Sequence, residues 1–210
     1  MWDTAETVGV LPVRPTEPPL LPCSIEQLNA VMRDGRKQLD QAVESMTAAD
    51  VPFALIGGKA VAAWIISADG VNDLGLRPID LLIHERDADR ALAALDIFGY
   101  AHRKYRTQIL LRNSDKSWDR GAIRLAYAGA QVRPEDLRPL PTPEQSCLVE
   151  GYRCLELPTL VEMLLAQFRI IDKAHVRSLA ENDLVNADWL DRIDPTMAKR
   201  LKAILEDPHG

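Results

Sequence analysis

Gly57, Gly58, Lys59 and Asp80 are residues of this chain whose types and spacing suggest chemistry. The glycines close the apolar run Val51-Pro52-Phe53-Ala54-Leu55-Ile56 and open the helical pattern Ala60-Val61-Ala62-Ala63-Trp64. A strand that runs through two glycines into a helix aims bare backbone N–H groups, and the positive helix end, at whatever sits there. That arrangement suits a phosphate, and Lys59 in the first helical turn would neutralise one. Asp80 stands among apolar residues in Arg77-Pro78-Ile79-Asp80-Leu81-Leu82-Ile83. A buried carboxylate either ligates a metal ion against such phosphates or needs a cationic partner. Each feature also has a plain structural reading. The glycines make a tight turn, Lys59 is a surface lysine, and Asp80 pairs with Arg124 or Arg77, whose fork satisfies both carboxylate oxygens.

Other chemistries find no support. No Gly-x-Ser-x-Gly occurs, and Gly57-Gly58-Lys59 lacks the spacing and the following hydroxyl residue of a Walker loop. His84, His102, His175 and His209 are scattered, and Cys23, Cys147 and Cys154 form no Cys-x-x-Cys pair, so no zinc-ligand spacing arises. The odd cysteine count suits a reducing compartment. With no secretory signal and no apolar run near the ~20 residues of a membrane span, a cytoplasmic location is expected. A formal net charge of −6 argues against a general nucleic-acid binder. The basic cluster His102-Arg103-Lys104-Tyr105-Arg106 reads either as a grip on a phosphate backbone or as a solvated edge strand guarded by its charges.

The positioning elements follow from patterning. Residues 1–23, with Pro12, Pro15, Pro18, Pro19 and Pro22, read as an extended arm. Ser24-Ile25-Glu26-Gln27 reads as a capping box opening a helix whose Leu39, Val43 and Met46 share one face, ending near Asp50. Strands are expected near 52–56, 79–83, 106–112 and 122–127, with Arg86–Phe98 an amphipathic helix and Asn113–Lys116 a turn. Residues 130–147, with four prolines, read as a long surface connection. Thr159-Leu160-Val161-Glu162 reads as a second capping box, and Asp194-Pro195 as the start of the last helix. The expected organisation is an arm (1–23), a core with its N-terminal helix (24–150) and a helical C-terminal part packed on the core (151–210).

The ordered series of strand, Gly57-Gly58-Lys59-Ala60, helix and Asp80-bearing strand resembles the nucleotidyltransferase fold, and within it the small bacterial nucleotidyltransferase-like proteins. Ile123–Gly129 resembles that family's later strand, and Leu160–Leu165 with Asp172–Arg177 its C-terminal helices, so the resemblance covers roughly residues 50 to 207. It implies an α+β fold: a mixed β-sheet flanked by helices with a C-terminal helical extension. In the family, an Asp-x-Asp pair and a third carboxylate hold two Mg²⁺ ions around a nucleoside triphosphate. Here Pro78 stands at the first aspartate position, Arg124 at the third, and Leu164 where relatives commonly have lysine. Asp80 is what remains of that triad.

The resemblance therefore implies a catalytically degenerate protein that binds a nucleotide, another phosphate-bearing ligand or a protein partner. Gly57, Gly58, Lys59, Arg77 and Arg124 would contact the phosphates. The alternative is an active Mg²⁺-dependent enzyme moving a nucleoside monophosphate to an RNA, protein or small-molecule acceptor. It would recruit a replacement ligand such as Asp73, Glu85 or Asp87. A third reading, by analogy of fold, is an interaction module of a toxin–antitoxin or phage-defence pair.

Overall fold

The computed structural model describes residues 25–72, 78–112 and 122–207. The proline-rich arm, the Ser24 cap, Asp73, Arg77 and the Asn113–Lys116 turn lie outside the described residues.

Among the described residues, seven strands form one mixed sheet: β1 (Phe53–Leu55), β2 (Ile79–Ile83), β3 (Ala101–Lys104), β4 (Gln108–Arg112), β5 (Ile123–Tyr127), β6 (Ser146–Val149) and β7 (Tyr152–Leu155). Their spatial order is β3-β4-β5-β2-β1-β7-β6. The pairs β2–β5 and β1–β7 are parallel, and the other pairs are antiparallel. All five residues of β2 are buried, so both faces of this strand are covered, as expected of a strand apolar on both faces except at Asp80. The fold is thus α+β, as expected, and all four expected strands are in one sheet.

Among the described residues, six α-helices flank the sheet: α1 (Ile25–Ala48), α2 (Gly57–Ser67), α3 (Ala88–Leu95), α4 (Leu157–Gln167), α5 (Ile170–Glu181) and α6 (Pro195–Glu206). The amphipathic α1 buries Leu39, Ala42 and Met46 and packs against α3. By contrast α2 is apolar nearly all round, and it is covered by α4 and α5 while also touching β2 and β7. Trp64 ties it to the sheet by donating its Nε1–H to the Leu155 carbonyl at 3.0 Å. Asp194 caps α6 by accepting from the Thr196 N–H at 2.8 Å, with Pro195 in the first turn as expected.

Three features depart from the sequence patterning. The expected surface connection of 130–147 runs into a β6–β7 hairpin, whose two-residue turn uses Glu150 and Gly151 at φ values of +51° and +81°. A glycine between short apolar runs was the available signal. Helix α4 starts at Leu157, before the Thr159–Glu162 capping box, because Pro158 fits the first turn, where an N–H has no helical partner. Finally, the strand expected near 106–112 begins at Gln108, and Tyr105–Thr107 separate it from β3, an edge strand of its own. Every residue of β3 is exposed. Lys104 pairs with Asp89 at 2.7 Å and Arg103 lies 5.3 Å from the Tyr105 ring centre, so the cluster is a charged edge that discourages further pairing.

Candidate functional site

The site is assembled where β1, through Ile56, enters α2 beside β2 and β5. Parallel register places Asp80 opposite Arg124. Equivalent residues on neighbouring strands point to the same face, and Arg124 Nη2 lies 2.8 Å from Asp80 Oδ2. Asp80 is 8% exposed. Burial pushes its carboxyl above the usual carboxylate range, while the charge and hydrogen bond of Arg124, then the charges of Arg169 and Lys59, pull it back. Of the two partners considered for Asp80, Arg124 is in contact, and Arg77 lies outside the described residues.

Gly57 makes this approach feasible. Its φ is +60°, and a Cβ there would stand 2.8 Å from Asp80 Oδ2, inside van der Waals distance. The glycine therefore serves both a left-handed backbone and a close carboxylate. Gly58 follows it into α2 and is buried. Lys59 is 1% exposed rather than a surface lysine. The reason is tertiary: α4 and α5 cover α2, and the lysine charge ends within electrostatic reach of Asp80.

Arg169 is a site residue that patterning missed. Helix α4 ends where Phe168 turns left-handed at φ +52°, its ring held between Lys173 (4.5 Å) and Arg200 (4.7 Å). Arg169 then caps α5: its backbone N–H and its guanidinium bind the buried Asp172 carboxylate, at 2.9, 2.7 and 2.9 Å. The Arg169-x-x-Asp172 spacing was the sequence signal. Nearby, Arg133 forks onto Asp136 at 3.0 and 2.8 Å and also donates to the Gln167 carbonyl. That bond and the Leu137 N–H to Ala166 carbonyl bond (3.2 Å) pin residues 133–137 to the end of α4.

The result is a nearly closed pocket. Gly57, Gln108, Arg124, Leu140, Met163, Gln167 and Arg169 line a cavity of about 20 Å³, enough for one water molecule. Leu140, Met163 and Gln167 also line a second cavity of about 360 Å³, whose lining includes the Arg138–Glu162 ion pair at 2.7 Å. That volume falls within the range of small-molecule sites, ~300–1,000 Å³.

Of the replacement carboxylates considered from sequence, Asp73 lies outside the described residues, and Glu85 and Asp87 do not converge on Asp80. Glu85 follows the far end of β2, in electrostatic reach of Tyr127, the residue opposite Ile83. Asp87 is engaged by Arg90 at 2.6 Å. Among the described residues, no three His, Cys, Asp or Glu side chains gather as a metal site. The donor set around Asp80, one carboxylate against Arg124, Arg169 and Lys59, does not fit a pair of Mg²⁺ ions, which need mainly anionic oxygen ligands. No described helix is long and apolar enough to cross a membrane.

No family model matches the sequence, and no curated protein matches it. Solved structures do. The lincosamide antibiotic adenylyltransferase LnuA, in its lincomycin-bound form, superposes with a TM-score of 0.50 at 13% identity, over 70% of this chain and 96% of LnuA. The antibiotic-resistance factor ANT(2'')-Ia gives a TM-score of 0.49 at 13% identity, over 81% of this chain and 90% of its own. At this identity the likeness to LnuA establishes the fold, which is nucleotidyltransferase-type.

Proposed function

We propose that this chain is a catalytically degenerate nucleotidyltransferase-fold protein that works by binding rather than by nucleotidyl transfer. The observation that carries the reading is the Arg124–Asp80 ion pair at 2.8 Å. Two adjacent Mg²⁺ ions bring four positive charges together and are held by carboxylates. A guanidinium at the same place fills the space and neutralises the remaining carboxylate, and Pro78 offers no ligand oxygen from its side chain. The surrounding cations favour an anionic, phosphate-bearing ligand such as a nucleotide, taken without metal. Such a ligand needs more than 20 Å³, and the adjoining cavity of about 360 Å³ shares Leu140, Met163 and Gln167 with the small one. The closed cavity favours a second reading, in which the fold presents its surface to a protein partner.

Calorimetry with ATP, GTP, CTP and UTP, each with and without Mg²⁺, separates these readings. Metal-independent binding that weakens in Arg169→Ala supports the nucleotide binder. Silence with all four supports the partner reading. Binding that requires Mg²⁺, or transfer of label from a triphosphate to an acceptor, overturns degeneracy and restores the active-enzyme alternative.

A further inference from the structure

The β6–β7 hairpin sets Cys147 directly opposite Cys154, and we propose that these two thiols form a reversible disulfide, a modification site independent of the ion-paired pocket. Both cysteines are free in the structure; Cys154 is fully buried and Cys147 is partly exposed. The geometry follows from the turn. A two-residue turn makes Val149 and Tyr152 a hydrogen-bonded pair, and the alternation of an antiparallel ladder puts Cys147 and Cys154 in the same class. Such pairs hold their Cα atoms about 5.5 Å apart, inside the ~4.4–6.8 Å window of disulfides. Directly opposite Cβ atoms lie ~4.5–5.5 Å apart, whereas a relaxed disulfide has them at ~3.8 Å. The strands must draw together for the bond to form. The bond is then strained and easily reduced, which is the signature of a labile rather than a structural disulfide.

The oxidant is a small-molecule disulfide such as oxidised glutathione. The Cys147 thiolate attacks one of its sulfurs, breaking the S–S bond and releasing one thiol. Cys154 then gives up its proton to solvent, and its sulfur attacks Cys147 in the mixed disulfide, releasing the second thiol. Two protein thiols are oxidised and one external disulfide is reduced. Burial pushes the Cys154 thiol up to about 12, so the second step is the slow one and accelerates with pH. Cys154 is also the β-ladder partner of Leu55, across the parallel β1–β7 pair.

The test incubates folded full-length protein, carrying Cys23→Ser, in glutathione redox buffers and reads intact mass and peptide maps. The expected product is a monomer lighter by two hydrogens with a Cys147–Cys154 cross-link, reversed by dithiothreitol. Its closure rate should rise about tenfold per pH unit between pH 7 and 9. Cys154→Ala should stop at a glutathione adduct on Cys147, and Cys147→Ser, which leaves the buried position intact, should give no cross-link. A stable Cys147–glutathione adduct that never closes in the folded protein, or no modification while both thiols react in denaturant, overturns the proposal.

Discussion

Replacing Arg124 with alanine tests the central ion pair most directly. Asp80, 8% exposed in the intact protein, would lose the guanidinium now 2.8 Å away. Breaking a fully buried pair from one side costs about 3–5 kcal/mol. Two features lower that figure here. The Arg124 side chain is 28% exposed, so solvent already screens part of the interaction, and Arg169 and Lys59 stay within electrostatic reach of Asp80. We expect a loss of about 2–3 kcal/mol at pH 7.5, which for a chain of this size lowers Tm by roughly 4–12 °C. The pH dependence has a definite sign. Burial already raises the Asp80 carboxyl above its ordinary value, and losing Arg124 raises it further. A raised carboxyl stabilises the fold when protonated, and that contribution fades as pH rises through the folded-state value. The cost of Arg124→Ala should therefore be largest at neutral pH and shrink as pH falls toward 4. Urea denaturation at pH 7.5 and 4.5 measures both, and a double-mutant cycle with Asp80→Asn isolates the pair. A loss under about 0.5 kcal/mol at pH 7.5, no coupling in the cycle, or a cost that grows on acidification would refute the reasoning.

Four further outcomes follow. Gly57→Ala should cost about 1–3 kcal/mol for its left-handed backbone and more for the Asp80 clash, whereas Gly99→Ala, at the same φ but facing open space, should show the backbone cost alone; equal losses in denaturant melts would discount the close approach. Pro78→Asp with Arg124→Asp should create Mg²⁺ affinity absent from the parent protein, read by calorimetry with the metal alone; no gained heat in a folded variant would count against Pro78 and Arg124 as the vacated ligand positions. Asp172→Asn should lower stability by about 3 kcal/mol because this buried carboxylate accepts three bonds from Arg169, and a change within 0.5 kcal/mol would contradict that role. The Glu144 carboxyl, 2.7 Å from His84, should titrate near pH 2 by NMR in the folded protein; a midpoint near 4.5 would mean that the contact does not persist in solution.

Local rules made much of this protein legible before its structure. Ile79, Leu81, Leu82 and Ile83, apolar on both faces of one strand, specify a doubly covered strand because any other placement would expose them. Asp194-Pro195 specifies a helix start because an acceptor side chain and a missing N–H both suit a first turn. The shared face of Asp80 and Arg124 follows from strand alternation once the two strands are taken as parallel neighbours. Tertiary structure decided the rest. Lys59 is buried because α4 and α5 close over α2, a contact between segments about a hundred residues apart that no local pattern encodes. Arg169 joins the site through a left-handed Phe168 braced by two cations from other turns of the chain. Cys147 and Cys154 look unrelated at a spacing of seven residues and become neighbours once a two-residue turn fixes their register. Sequence periodicity reports which face of an element is apolar; which charges then share a small closed volume depends on packing between elements, and that set the chemistry left around Asp80.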